Sequence, residues 1–341
     1  MSDGTELNWS ILGLGRFGRI HARILQTIRG VRLHSACNRN EDVLQQHAAE
    51  LQLPKTSTTT DDILGDSEVD VVSIVTHWQD HYPLAIEALN AGKHVFLEKP
   101  IAATTTQARE ILKASRQSKG KLMVGHICRF DPRYSLARER ILGGEIGEVT
   151  SIHAKRNLPV APANIRLGKI PPLIGDGIHD LDLAMWMLGR KPNSVFARNI
   201  KIHDFTYPDA GWAMFDFSDP AKSSETVVVI ETHWGLPETT ETVIDARMEI
   251  IGTTGKISID CSQTGLHIQA KHTRYLDTSY WPQVKTETFG VLRSELEYFT
   301  RCIESGSEPS LITTEEACDA LEIILLAQQS ADEQQILTVE T

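Results

Sequence analysis

The sequence predicts an α/β protein: a doubly wound parallel sheet plus a C-terminal α+β domain with a large, mostly antiparallel sheet. Three observations lead to this fold class. A glycine-rich loop, residues 11–18, follows a short apolar run near the start of the chain. Strand and helix patterns alternate up to about residue 124, as they do in βαβ units. After residue 190, strand patterns follow one another without helices, which is typical of an antiparallel sheet.

The first predicted domain, residues 1–124, contains the alternating elements. Apolar spacing predicts strands at residues 9–12, 31–37, 69–75, 94–97 and 121–124, and helices at residues 16–29, 41–51, 81–91 and 104–118. Residues 69–75 are nearly all apolar, as a strand covered on both faces should be.

The second predicted domain, residues 125–341, begins with a helix and then becomes rich in strands. We expect helices at residues 132–142, 178–188, 292–305 and 314–331, and strands at residues 149–157, 194–202, 212–217, 226–234, 247–252, 256–260 and 266–269. Residues 157–172 are rich in Pro, Gly and Asn, which predicts a long loop. One face of the sheet should pack on helices, and the other should be available to a partner or a second subunit.

Size and composition exclude several classes of protein. The chain has 341 residues, 41% of them hydrophobic, which suits two domains with ample core. Its formal net charge of −11 argues against nucleic-acid binding, and no apolar run reaches the ~18 residues of a membrane span. Five scattered cysteines without a C-x-x-C pair favour reduced thiols over a metal site. We therefore expect a cytoplasmic enzyme without a metal, a nucleic-acid partner or a membrane partner.

The glycine-rich loop carries the first functional prediction, because residues 13–18 read G-L-G-R-F-G. Gly13 permits a tight strand-to-helix turn, Gly15 lets the backbone approach phosphates, and Gly18 lets the helix pack closely on the strand. The N–H groups and the dipole of the helix N-terminus then face the anion. The loop predicts the pyrophosphate site of a dinucleotide in a Rossmann domain.

The end of the second strand bears on which dinucleotide binds. A carboxylate about 20 residues after the glycine loop would accept the adenosine ribose 2′-OH of NAD, but the neutral Asn38 stands there, followed by Arg39. Arg39 suits a 2′-phosphate, whereas the Asn38 amide is compatible with NAD. We expect NAD or NADP, with a slight lean to NADP.

Two further clusters suggest catalysis. A predicted strand ends in Glu98-Lys99-Pro100, at the sheet edge where ligands bind. Alternation along a strand points Glu98 and Lys99 to opposite sides, although a lysine at a strand end is often only surface. Asp176 and His179 begin an apolar helix, where a histidine suits a base that takes a hydroxyl proton.

Together these segments resemble the glucose–fructose oxidoreductase and inositol dehydrogenase family. The residues that carry the resemblance are Gly13–Gly18, Ala91–Pro100, Arg129-Phe130-Asp131-Pro132 and His179-Asp180-Leu181-Asp182, in the right order along the whole chain. The resemblance implies a Rossmann domain, a sheet domain often used for oligomerisation, and hydride exchange between NAD(P) and a ring carbon of a sugar or cyclic polyol. A homodimer or homotetramer is expected.

The resemblance also implies roles by position. Lys99 would be the active-site lysine, before a cis peptide bond to Pro100, and His179 the catalytic histidine. Many members have an aspartate four residues before that histidine, where this chain has Gly175; Asp176, three before, would replace it as the third catalytic residue. Thr76 and His81 match the family's fourth-strand loop.

The predicted site is larger than these positions. The expected contacts of the dinucleotide are Gly13, Gly15, Arg16, Phe17, Gly18, Asn38, Arg39, Thr76, His77, His81, Glu98, Lys99 and Arg129. The expected contacts of the substrate are His126, Arg156, Asn157, Asp176 and His179, with a purely structural role open for His126. Two other functions remain open: an NAD-dependent glycosidase without net redox, and a non-catalytic nucleotide-binding sensor.

Overall fold

A computed structural model describes residues 6–160, 169–219, 221, 225–270 and 273–340. The chain forms two compact units, Met1–Phe130 with Ser279–Cys318, and Asp131–Thr278 with Asp319–Thr341. This division differs from the predicted boundary, which placed everything after residue 124 in one domain. The reason lies in residues 291–304, whose apolar helical face packs on the first sheet: the Phe299 ring lies 6.0 Å from that of Trp9 and 6.1 Å from that of Phe96.

The first unit is built on a six-stranded parallel sheet in the order β3-β2-β1-β4-β5-β6. Its strands are β1 Leu7–Leu12, β2 Val31–Cys37, β3 Lys55–Ser57, β4 Val71–Ile74, β5 His94–Glu98 and β6 Leu122–Gly125. Its helices are α1 Arg16–Leu25, α2 Glu41–Leu51, α3 Asp61–Leu64, α4 His81–Asn90 and α5 Thr105–Gln117, with 3₁₀ turns at Trp78–Asp80 and Ile127–Phe130. The order reverses between β1 and β4, so the carboxyl ends of these strands flank a binding crevice.

The second unit holds a seven-stranded sheet in the order β12-β11-β7-β10-β9-β8-β17. These strands are β7 Val149–Asn157, β8 Ser194–Ile200, β9 Ala210–Asp216, β10 Val227–His233, β11 Asp245–Gly252, β12 Lys256–Asp260 and β17 Leu337–Thr338. Two helices of this unit are α6 Pro132–Leu142 and α7 Ile178–Leu188. Burial alternates along the strands, so that Ala213 and Phe215 are buried while Met214 is half exposed.

The remaining elements are short strands and the last helices. They are β13 His267–Ile268, β14 Arg274–Tyr275, β15 Gln283–Val284, β16 Glu287–Thr288, α8 Val291–Glu304 and α9 Thr314–Glu333. Among the described residues, no helix is both long and apolar enough to cross a membrane.

The predicted fold class is confirmed: the first sheet is wholly parallel and the second is mixed and mostly antiparallel. The sequence did not reveal that β10 runs parallel to β7, since that pairing joins strands about 75 residues apart. Short strands such as β3 and β17 also escaped prediction, because two or three residues show no periodicity. Half of the predicted loop at residues 157–172, residues 161–168, lies outside the described residues.

Candidate active site

The glycine-rich loop forms the turn between β1 and α1. Gly13 has a φ of +101°, and a Cβ there would lie 2.5 Å from the carbonyl oxygen of Val75. At Gly18 a Cβ would lie 2.1 Å from the carbonyl oxygen of Gly13, so a side chain would push α1 off the strand. A Cβ at Gly15 would meet no atom of the described residues within 4 Å, chain neighbours aside. Gly15 therefore marks the open side of the loop.

The helix that follows this loop begins without a side-chain cap. Gly15 is its N-cap residue and offers no side-chain acceptor to the first N–H groups. The loop itself is tied to the neighbouring strand, because the Cys37 carbonyl oxygen lies 2.9 Å from the amide nitrogen of Gly13 and 3.2 Å from that of Leu14. The uncapped end and the open loop together form an arrangement that suits a phosphate anion.

The end of β2 presents the two residues predicted to face the adenosine ribose. The Asn38 side-chain oxygen accepts a hydrogen bond from the Asn40 amide at 3.0 Å. Arg39 is exposed, and its Nη2 lies 2.8 Å from Oδ2 of Asp80, at the start of α4. The ion pair joins the loop after β2 to the residue before α4, and the Asp80 carboxylate counters the charge of Arg39.

Lys99 follows β5 and is partly exposed, and its peptide bond to Pro100 is cis. The Pro100 carbonyl oxygen accepts a hydrogen bond from Nδ1 of His81 at 2.7 Å. His81 is 1% exposed, and burial lowers its pKa, which favours the neutral imidazole. The structure thus places His81 against the backbone that carries Lys99, rather than on an open surface of the crevice.

The Glu98 side chain points toward α1. Its Oε1 lies 3.2 Å from Nε2 of His21, whose Nδ1 lies 3.1 Å from the Ser73 hydroxyl. A Cβ at Gly125 would come within 3.1 Å of the same carboxylate, so glycine leaves room for it. Sequence reasoning missed His21, which is completely buried and has no local signal beyond its place on a helix.

The other predicted contacts of the first unit are placed as follows. Arg16 is exposed at the start of α1, and the Phe17 ring packs 5.3 Å from that of Trp281. Thr76 and His77 follow β4 at the same sheet edge and are partly exposed. The remaining two are buried: His126 is 1% exposed, and Arg129 lies 2.9 Å from the Leu311 carbonyl oxygen and 3.1 Å from Glu316.

In the second unit, the predicted acids and histidine lie at the start of a buried helix. Leu173–Gly177 form a π-helical turn and α7 begins at Ile178; we call residues 173–180 the acid turn. The sequence predicted an ordinary helix start here, but Asp176 lies in the π turn and His179 in the first α-helical turn. Both are more than nine-tenths buried.

An ion pair anchors the acid turn to β7. Nη2 and Nε of Arg156 lie 2.8 and 3.2 Å from the two carboxylate oxygens of Asp180, a two-point contact. Burial raises the pKa of Asp180, and the Arg156 guanidinium opposes that shift. Arg156, predicted to bind substrate, is therefore held within the unit by a buried carboxylate.

Asn157 and Trp234 complete this part of the second unit. The Asn157 amide donates to Oε1 of Glu231 at 2.6 Å, and its oxygen accepts from the His233 amide at 2.8 Å. Trp234 donates from Nε1 to Oδ2 of Asp176 at 2.9 Å. Sequence reasoning missed Trp234, because 58 residues separate it from Asp176 and no motif contains both.

One cluster away from the crevice has ligands of the kind that metals prefer. His34, Asp66 and Glu68 offer ligand atoms within 4.8 Å of one another. Lys55 already supplies a cation there, with Nζ 3.0 Å from Asp66 and 2.9 Å from Glu68. The hydrogen bond from His34 keeps the pKa of Asp66 well below its ordinary value. Within this cluster, Lys55 on β3 thus offsets part of the charge of the two carboxylates.

Comparison with known proteins matches these features to a family. Residues 7–126 match a family model described as an oxidoreductase family with an NAD-binding Rossmann fold, and residues 134–258 match the GFO/IDH/MocA C-terminal domain. An inositol 2-dehydrogenase of Saccharopolyspora erythraea is 30% identical over 263 residues, 74% of this chain and 73% of that protein. The chain belongs to the GFO/IDH/MocA oxidoreductase family.

The similarity to relatives and to solved structures extends over almost the whole chain. The NAD(+)-dependent scyllo-inositol 2-dehydrogenase of Bacillus subtilis is 28% identical over 95% of this chain and 94% of its own length. A putative myo-inositol dehydrogenase structure from Sinorhizobium meliloti is 26% identical, with a TM-score of 0.82 over 98% of this chain and all of that one. Scyllo-inositol dehydrogenase of Lactobacillus casei, solved with NAD(H) and scyllo-inositol, has the same fold at 22% identity, a TM-score of 0.81, and 98% and 99% coverage.

These findings confirm the predicted family and its enzyme class. The chain is an oxidoreductase of the dehydrogenase type, its first unit has an NAD-binding Rossmann fold, and several of its relatives are inositol 2-dehydrogenases. They favour neither the glycosidase nor the sensor.

Proposed function

We propose that this GFO/IDH/MocA enzyme oxidises a ring CH–OH group of an inositol-like polyol, or reduces the corresponding ketone, with NAD(P). One observation carries the proposal: the open side of the glycine loop and the strand-end lysine, Lys99, lie at the same edge of one parallel sheet. That placement supports an anion-binding turn and a cation along the crevice of the NAD-binding fold. The inositol dehydrogenase relatives indicate the substrate class.

The dinucleotide would accept the hydride when bound, and the residues of this chain would manage the oxygen and its proton. His179 takes the proton of the substrate hydroxyl as a general base. Lys99 donates a hydrogen bond to the oxygen as negative charge grows on it, worth about 3 kcal/mol in a dry site. Asp176 orients His179 or a neighbouring substrate hydroxyl. Asn157, His126 and Arg156 remain predicted substrate contacts, and Arg156 also pairs with Asp180.

The assay is a time course of absorbance at the reduced-nicotinamide band with a panel of inositols and sugars. We expect reduction of the coenzyme in proportion to polyol consumed. Cleavage of a glycoside without net reduction would instead support the glycosidase, and bound nucleotide with no turnover on any substrate would support the sensor. Lys99→Met serves as the matched variant: it should keep dinucleotide affinity and lose nearly all turnover, and near-normal turnover would contradict the role of Lys99.

For the choice of coenzyme, we propose that Asn38 and Arg39 read the adenosine ribose. The neutral Asn38 does not repel a 2′-phosphate and Arg39 can pair with one, which supports the slight lean to NADP. The Asp80 carboxylate, 2.8 Å from Arg39, opposes that preference by occupying the guanidinium. The ratio of kcat/KM for NADP to that for NAD decides between the two.

Two further predictions concern location and assembly. We propose that the enzyme works in the cytoplasm as a homodimer or homotetramer. The outward face of the second sheet supports the assembly, since Met214 is 50% and Val227 40% exposed there. Sedimentation velocity at micromolar concentration should show an oligomer that Met214→Glu dissociates, and a monomeric wild-type protein would contradict it.

A further inference from the structure

The residue four positions before His179 has no room for a side chain. A Cβ at Gly175 would lie 2.6 Å from Cη2 and 2.9 Å from Cζ2 of Trp234, and 3.3 Å from Ile170. The first two distances are far below ordinary carbon contacts, and the indole cannot bend as a flexible chain would. The six-membered ring of Trp234 therefore occupies the space that a side chain at residue 175 would need.

The same indole reaches the next residue with its polar edge. Nε1 of Trp234 donates to Oδ2 of Asp176 at 2.9 Å, within a buried environment. Trp234 is 1% and Asp176 8% exposed, so water competes little for this bond. A hydrogen bond to an ionised carboxylate in such surroundings restricts the orientation of the carboxylate.

Trp234 is itself held in place by backbone and side-chain contacts. Its backbone amide donates to the Asp209 carbonyl oxygen at 2.8 Å, directly after β10 ends. Its ring belongs to a small apolar cluster with Leu158, against which Ile170, Phe205 and Ile244 pack. Because these contacts fix the position of the Trp234 indole, its N–H group can fix the orientation of the Asp176 carboxylate.

We propose that Trp234 is a positioning residue, which excludes any side chain at residue 175 and orients the Asp176 carboxylate for the proton transfer made by His179. The proposal rests on the proposed function, because it assigns Asp176 to the same reaction. Trp234 is only 1% exposed, and its effect on the reaction is exerted through Asp176. The carboxylate of the acid turn thus stands at residue 176, and not at residue 175, because the residue that follows β10 is Trp234.

The main variant is Trp234→Phe, which removes the N–H donor and keeps an aromatic ring. We expect kcat with an inositol substrate to fall about 10- to 100-fold, the range of one hydrogen bond to a charged group. The Kd for the dinucleotide should stay unchanged. Trp186→Phe is the control, since that indole lies on α7 with the Arg138 guanidinium 4.6 Å from its ring centre; it should keep the wild-type kcat.

Non-additivity separates positioning from a general structural role. If Trp234 acts through Asp176, the double variant Trp234→Phe/Asp176→Asn should be no slower than Asp176→Asn alone. Multiplied losses, or a wild-type kcat in Trp234→Phe, would overturn the proposal. Because phenylalanine is shorter, Gly175→Ala should lower the free energy of unfolding less in the Trp234→Phe background than in the wild-type background. An equal loss in both backgrounds would overturn the steric part of the proposal.

A spectroscopic readout distinguishes this proposal from the proposed function. The indole ¹H–¹⁵N resonance that disappears in Trp234→Phe should shift in Asp176→Asn and keep its position in the control variant of Trp186. An unchanged resonance in Asp176→Asn would overturn the pair, whatever the activity. If the resonance shifts but no polyol is turned over by the wild-type enzyme, the proposed function fails while the contact between the two side chains stands.

Discussion

Two turns in this molecule each lead into a helix, the glycine loop into α1 and the acid turn into α7, and they are built in opposite ways. The glycine loop is shaped by its own backbone: Gly13 and Gly18 must lack side chains because carbonyl oxygens lie 2.5 and 2.1 Å from their Cβ positions. The acid turn is shaped by distant side chains, Arg156 on β7 and Trp234 after β10. A turn of the first kind can be recognised from a short motif, whereas a turn of the second kind requires the sheet to be assembled.

The largest expected effect is the loss of stability when the ion pair of the acid turn is broken. Arg156→Met leaves the Asp180 carboxylate buried without its guanidinium, which should lower the free energy of unfolding by about 3–5 kcal/mol. Denaturant unfolding measures this loss of free energy. Lys155→Met is the control, because Lys155, the next residue along β7, pairs with Asp245 where both side chains are partly exposed; its loss should stay below about 1 kcal/mol.

Two outcomes would contradict this account of the acid turn. Equal losses in the two variants would mean that the buried pair is no more important than a pair at the sheet surface. A double variant Arg156→Met/Asp180→Leu should recover most of the stability, since it removes both charges. Failure to recover would assign the loss to packing rather than to the unpaired carboxylate.

The second prediction separates two glycines of the other turn. Gly18→Ala should lower the free energy of unfolding by about 2–3 kcal/mol, because the new methyl group meets the Gly13 carbonyl oxygen. Gly15→Ala should leave the unfolding free energy almost unchanged and weaken dinucleotide binding, since its Cβ enters the open side of the loop. Thermal unfolding and a nucleotide titration test both, and wild-type affinity in Gly15→Ala would exclude this loop as the phosphate site.

These contrasts explain which parts of the structure the sequence predicted. The glycine loop and the alternating elements of the first unit were predictable, because their signals are local and repeat along the chain. The sequence shows that Gly175 and Asp176 depart from the family pattern before the matching His179, but it does not show the reason. That reason is the indole of Trp234, which lies 58 residues beyond Asp176 and shows no pattern of its own. The packing of residues 291–304 on the first sheet escaped for the same reason.

A third prediction concerns the strand that supports the glycine loop. Burial raises the pKa of the Cys37 thiol from 9.0 to about 11. Between pH 9 and pH 11 the unfolded chain has lost this proton while the folded chain keeps it, so stability falls as pH rises. The resulting loss in the free energy of unfolding should be absent below pH 9 and reach about 2 kcal/mol at pH 11. Cys37→Ala should flatten this alkaline decline in denaturant unfolding, and an unchanged slope would show that the thiol does not cause it.

The smallest expected effect concerns which dinucleotide the glycine loop receives. Asn38→Asp adds a carboxylate where an adenosine 2′-OH would be accepted and a 2′-phosphate repelled, so the NADP-to-NAD ratio of kcat/KM should fall about tenfold, or 1.4 kcal/mol. Asp80→Asn should shift the ratio the other way, because it releases Arg39 from its ion pair. Opposite shifts would show that Asn38 and the Arg39–Asp80 pair together determine the coenzyme preference. An Asn38→Asp ratio equal to that of wild type would mean that residues other than Asn38 determine the coenzyme preference.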